Sequence, residues 1–194
     1  IKENVNPKKS ILDRFSELNP SLYSAIEQAK AAILYPPNGM NMLILGETGV
    51  GKSTFASLIY KYSIESKVKS ENSPFITFNC ADYANNPQLL LGQIFGVKKG
   101  AYTGAEHDKA GLLEKADGGI LFLDEVHRLP AEGQEMFFTF IDKGIYRRLG
   151  ETESERSAKV LIITATTEDP NATLLRTFTR RIPMVISIPP LRER

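Results

Sequence analysis

Eight consecutive residues carry the clearest chemistry in the chain: Gly46, Glu47, Thr48, Gly49, Val50, Gly51, Lys52 and Ser53. The three glycines let backbone amides wrap a polyanion with no side chain in the way. The lysine adds a fixed positive charge, and the serine adds an oxygen donor for a cation. This order and spacing is that of a phosphate-binding loop. Lys52 would reach the β- and γ-phosphates of a nucleoside triphosphate, ATP, and Ser53 would coordinate Mg2+. Thr54 follows within reach of the same ligand. A helix that opens near Ser53 would add unpaired N–H groups and its positive end.

A second group completes the set. Gly119 is followed by the apolar run Ile120, Leu121, Phe122 and Leu123, and then by Asp124 and Glu125. Two carboxylates at the C-terminal end of a buried strand sit where open α/β sheets bind ligands. Asp124 would hold Mg2+ with Ser53, directly or through water. Glu125 would polarise the attacking water. Phosphoryl transfer asks little more of a protein than alignment and charge. Lys52, the cation and a further basic residue would supply the positive part.

Those residues need a rigid frame, and the apolar pattern supplies one. Short apolar runs at 42–45, 75–78, 120–123, 160–165 and 184–188 read as buried strands. Helical periodicity falls at 21–35, 53–68, 88–95, 108–116, 132–141 and 174–181, with a weaker signal at 10–18. Residues 97–106 form a glycine-containing loop, and 143–158 a charged, hairpin-like segment whose charges are expected to be solvated. Strands alternating with helices imply an α/β fold with a parallel sheet covered on both faces.

Composition excludes several classes. A net charge of +1 gives no overall attraction to nucleic acid. A single cysteine, Cys80, rules out an internal disulfide and reads as a buried thiol beside the strand at 75–78. His107 and His127 lie far apart, which argues against a metal site. No run of about 18 apolar residues is present, so no membrane span is expected. No signal-peptide pattern opens the chain, and a cytoplasmic location is expected. Both ends read as cut from something longer.

The loop Gly100, Ala101, Tyr102, Thr103, Gly104 and Ala105 resembles the GAFTGA loop of the AAA+ central domain of bacterial enhancer-binding proteins, the activators of sigma-54 RNA polymerase. Phe95-Gly96 and Lys99 before it fit the resemblance. So do Ala110-Gly111, Leu129-Pro130 and the terminal 189–194 after it. The resemblance runs from about Leu22 to Arg194. Segments 125–135 and 176–183 are most similar to the levanase-operon regulators, a subgroup controlled by the sugar phosphotransferase system.

The resemblance carries specific expectations. The fold would be a P-loop AAA+ core with a five-stranded parallel sheet in the order 5-1-4-3-2, flanked by helices, with the C-terminal helical lid largely absent. Residues 1–20 would be a lead-in, 21–190 the core and 191–194 the start of the lid. The loop at 100–105 would contact the sigma-54 factor through Tyr102, which stands where the family has phenylalanine, and Thr103. The inserted segment at 143–158 would support it. Asn79 would sense nucleotide state through Glu125. Thr167 stands where the family often has a sensor asparagine. Arg180 falls on the second arginine finger, and Leu174 stands at the first, leaving Arg176 and Arg181 as the basic neighbours that would take over. Fingers acting on a neighbour's nucleotide imply a ring, hexameric in the family. DNA would be bound only by a domain outside this chain. Two other readings are a different AAA+ remodeller, such as a helicase loader, and a nucleotide-binding regulatory or assembly module with little turnover. Turnover without sigma-54 binding would mark the first, and binding without hydrolysis the second.

Overall fold

The computed structural model describes residues 8–174 and 176–190. The expected start of the lid at 191–194 lies outside the described residues. In chain order the elements are α1 (Ile11–Leu18), α2 (Tyr23–Leu34), β1 (Met42–Leu45), α3 (Lys52–Glu65), β2 (Phe75–Asn79), α4 (Pro87–Phe95), α5 (Leu112–Lys115), β3 (Ile120–Asp124) and α6 (Ala131–Lys143). They continue with β4 (Ile145–Tyr146), β5 (Arg156–Ser157), β6 (Leu161–Thr166), α7 (Pro170–Thr173), α8 (Arg176–Arg180) and β7 (Met184–Ser187).

Five strands form one parallel sheet in the order β2-β3-β6-β1-β7. Counted within that sheet, this is the expected 5-1-4-3-2 read from the opposite edge. The apolar strands are explained by burial on both faces. Met42, Ile44, Ile120, Phe122, Ile163 and Ala165 pack with α1, α2 and α3. Leu43, Leu121, Leu123 and Ile162 point the other way, to the core under α4, α5, α6 and α8. A strand buried on both sides reads as a continuous apolar run rather than an alternating one.

Helix α1 belongs to this packing. Ser10 and Asp13 form a reciprocal cap at its start, and Leu12 is fully buried in the core. Lys30 on α2 donates to Asp13 at 2.8 Å. That hydrogen bond is the main reason the Asp13 carboxyl is held down at about 2. Cys80 is fully buried. Burial, reinforced by the nearby Asp124 and Glu125 carboxylates, pushes its thiol up to about 12. It therefore stays protonated at neutral pH, as a structural thiol should.

One expected helix is shorter than its pattern suggested. Of 108–116, only Leu112–Lys115 is helical. Lys109 instead pairs with Val97 through two backbone hydrogen bonds of 2.8 and 2.9 Å. The cause is a close backbone crossing. A Cβ on Gly111 would lie 2.3 Å from the Gly96 nitrogen, so the chain passes there extended and the helix starts one residue later. Helix α3 also stops at Glu65 rather than near Val68, because Lys67 adopts a left-handed conformation at φ 63°.

Candidate active site

The phosphate loop spans the turn between β1 and α3. Gly49 and Gly51 have φ of 81° and 92°, a conformation that L side chains rarely adopt, and a Cβ on either would meet nothing within 4 Å. The loop is thus left-handed at two points with open space beside it, the shape a phosphate chain fills. Val50 turns inward and is 3% exposed. It packs so closely over Gly46 that a Cβ there would sit 2.7 Å from its methyl group. Lys52 is buried, and its Nζ donates to the carbonyls of Gly46 at 2.9 Å and Glu47 at 3.0 Å. An ammonium has three protons, so one remains for a phosphate oxygen.

Ser53, Asn79 and Asp124 line one cleft of about 460 Å³ together with Asp82, Tyr83 and Gln93. Asn79 and Asp124 are level in the β2–β3 register. Asp124 accepts from the Glu125 amide at 2.9 Å through one oxygen. A serine hydroxyl and a carboxylate are hard oxygen donors, and Mg2+ typically takes one or two carboxylates while phosphates and waters complete its shell. The donor set fits that cation. Among the described residues no cluster of three or more His, Cys, Asp or Glu side chains suggests another metal.

Glu125 has φ 51° and ψ 44°. A left-handed non-glycine residue costs roughly 1–2 kcal/mol, and here it reverses the chain at the end of β3. Val126 then enters the core, and a tight turn, Val126–Arg128, follows. The turn brings His127 Nε2 within 3.3 Å of Glu125 Oε2, while His127 Nδ1 lies 2.8 Å from Thr166 Oγ1. Asn79 instead uses its side-chain oxygen to accept from the Ala81 amide at 2.9 Å. The structure therefore places Asn79 beside Ser53 and Asp124, and gives Glu125 His127 as its neighbour. A role for His127 beside Glu125 is not among the sequence expectations. Its place two residues after Glu125 was the available signal. Thr167 lies just past β6, and the hydroxyl that meets His127 is that of Thr166.

A second missed feature is apolar. Phe15, Leu22, Val50, Phe55 and Ile188 line a cleft of about 180 Å³ with Gly49, Gly51 and Thr54 of the phosphate loop. Phe15 comes from the segment expected to be a mere lead-in.

On α8, Arg176 and Arg180 are exposed and four residues apart, hence on one face. Arg181 is committed elsewhere. Its guanidinium donates to Asp142 at 2.8 Å and sits 3.1 Å from the Phe138 ring centroid. Leu174 is buried in the core.

The loop at 100–105 is closed by a hydrogen bond of 2.9 Å from the Gly100 amide to the Ala105 carbonyl, with φ of 84° at Gly100 and 95° at Gly104. Thr103 and Gly104 are exposed at its tip, and Ala101 and Tyr102 are half-buried. Residues 143–158 do form a hairpin, β4–β5. It braces the loop through Lys98 N to Leu149 O and Leu149 N to Gly96 O, both 2.9 Å, and Gly150 faces Ala101. Arg147, Glu153 and Glu155 are exposed as expected, but Arg148, Glu151 and Arg156 are less solvated. Arg148 grips both oxygens of Glu114 at 2.9 and 3.0 Å with its side chain 13% exposed, and Glu151, paired with Arg156, is 4% exposed. Arg148 and Arg156 are partly sealed because both reach Glu114 of α5, and Glu151 is held in turn by Arg156.

Strand order and loop geometry together define an AAA+ class P-loop domain. A family profile described as "Sigma-54 interaction domain" matches residues 16–186, and the chain belongs to that family. Transcriptional regulatory protein LevR of Bacillus subtilis is 65% identical over 174 residues, 90% of this chain and 19% of that protein. Transcriptional regulatory protein DagR of Salmonella typhimurium is 49% identical over 90% of this chain and 18% of its own length. The chain thus spans about a fifth of these relatives. Among solved structures, NtrX from Brucella abortus in complex with ATP superimposes with a TM-score of 0.71 at 26% identity, covering 88% of this chain and 36% of that one. Among the described residues, no helix is long and apolar enough to cross a membrane.

Proposed function

We propose that this domain hydrolyses ATP and uses the cycle to engage and remodel sigma-54 RNA polymerase, so that the promoter can open. One observation carries the coupling. Gln93 of α4 lines the cleft that holds Ser53 and Asp124, and α4 ends two residues later at Phe95, where the chain turns into the 97–106 loop. A change beside the phosphates therefore bears on the helix that aims the loop.

In this reading Lys52 and the amides at 46–53 hold the phosphates, and Ser53 and Asp124 hold Mg2+, which would neutralise phosphate oxygens. Glu125 orients the attacking water and takes its proton. The apolar cleft of Phe15, Leu22, Val50 and Ile188 seats the base. NtrX has been solved with ATP, which supports the choice of nucleotide. Arg176 and Arg180, exposed on α8, act on the nucleotide of a neighbouring subunit. An interface in which each subunit serves the next closes into a ring, here a hexamer. Asn79, next to Asp124 on the β2 side, reports the state of the site toward α4. Gly100, Ala101, Tyr102, Thr103, Gly104 and Ala105 form the surface that meets sigma-54. Residues 21–190, with α1 packed on them, are the working core. The longer regulator acts in the cytoplasm, binds DNA through a separate domain and answers to the sugar phosphotransferase system.

Thr103→Ala tests the partner loop. Thr103 is an exposed loop residue remote from the phosphate contacts, so ATP turnover is expected to stay within about twofold. Pull-down of sigma-54 by the nucleotide-loaded protein should be lost. A sigma-54 complex as strong as that of the parent protein would remove the loop from this role.

A further inference from the structure

The residue facing Glu125 is itself held from behind. His127 is 10% exposed at its side chain, and Thr166, which touches its far nitrogen, is fully buried. The proton order along this row follows from valence. The Glu168 amide can only donate, and it donates to Thr166 Oγ1 at 3.1 Å. The Glu125 carboxylate can only accept, so the tautomer that serves it has the proton on His127 Nε2, 3.3 Å away. In the neutral ring Nδ1 is then the acceptor, and the Thr166 hydroxyl gives it its single proton at 2.8 Å. Two links of the row are hydrogen bonds, and the third, His127 Nε2 to Glu125 Oε2, is a 3.3 Å contact. Thr166 is also the last residue of β6, and its carbonyl accepts from the amide of Gly46, the first residue of the phosphate loop, at 3.4 Å.

We propose that His127 is a positioning residue for hydrolysis. It holds the Glu125 carboxylate and connects it, through Thr166, to the phosphate loop. Movement of Gly46 as phosphates enter is passed along β6 to the ring, and the 3.3 Å contact closes into a hydrogen bond that fixes Glu125 for attack. The left-handed turn at Glu125 brings a residue only two positions on back to its carboxylate. This inference rests on the ATPase reading of the site.

The test is steady-state ATP hydrolysis by the full-length protein, with nucleotide Kd measured separately. His127→Ala is expected to lower kcat by about 10- to 100-fold, the cost of a misplaced catalytic group. KM and Kd should stay within about twofold, since no phosphate contact is lost. His127→Gln, whose amide N–H can reach the same carboxylate, should recover most of the loss. Thr166→Val should fall part of the way, and Thr166→Ser should behave as the parent. The double variant His127→Ala with Thr166→Val should be no slower than His127→Ala alone, because both changes break one connection. Should His127→Ala fail to fold, His127→Gln and the two Thr166 variants still decide. Unchanged kcat in His127→Ala, a loss confined to Kd, or a double variant slowed by the product of both single losses would overturn the inference while leaving the ATPase reading in place. A parent protein that binds ATP without turnover would overturn both.

Discussion

Glutamine at position 125 is expected to cut ATP turnover by about 100- to 10,000-fold, the range for loss of a general base. ATP affinity should stay within about threefold, because the change removes no group that holds the phosphates. The reasoning is local. Glutamine has the shape of glutamate, can follow the same backbone turn and still offers an oxygen to His127 Nε2. What disappears is the carboxylate that can accept a proton from water. Asp124 does not substitute for it, since one of its oxygens already accepts from the Glu125 amide and the carboxylate lines the cation cleft beside Ser53. Single-turnover phosphate release, set beside a nucleotide titration, separates the two effects. Normal turnover would assign the base elsewhere.

The second large effect lies at Lys52. Alanine there should weaken ATP binding by about 100-fold or more, the equivalent of about 3 kcal/mol for charge-assisted hydrogen bonds to phosphate. The ammonium is buried against the loop it serves, bonded to the Gly46 and Glu47 carbonyls. Its loss removes the phosphate contact and the tie that shapes the loop. Isothermal titration with ATP, checked by thermal melting for a folded variant, gives the answer. Unchanged affinity would remove the 46–53 loop as the phosphate site.

Much of this was legible in the residues. Both-face burial leaves strands as short apolar runs, so all five strands of the sheet stood out. The phosphate loop and the Asp124–Glu125 pair were legible because their chemistry is carried by contiguous residues. What was hidden depends on contacts distant in sequence. The helical pattern at 108–116 gave no hint that Gly96 and Gly111 cross backbone to backbone. The pairing of His127 with Thr166 spans 39 residues. Phe15 joins the phosphate loop only because α1 folds onto α2 and α3, a placement that a polar, mixed segment does not announce. The short α7 was missed for a different reason: a single turn that begins at Pro170 has too few residues to show a period. Arg181 looked as available as its neighbours until Asp142 and Phe138 claimed it. Arg176 and Arg180 are exposed on α8.

The central claim is that nucleotide state controls the grip of the 100–105 loop on sigma-54. It requires that the sigma factor bind one state of the site more tightly than the others. The most direct measurement is sigma-54 binding by the full-length protein without nucleotide, with ADP, and with ADP plus aluminium fluoride, which mimics the phosphoryl group in transfer. A stable complex is expected in the fluoride state alone. No complex in any state, with ATP turnover intact, would contradict it and point to an AAA+ motor acting on a different target.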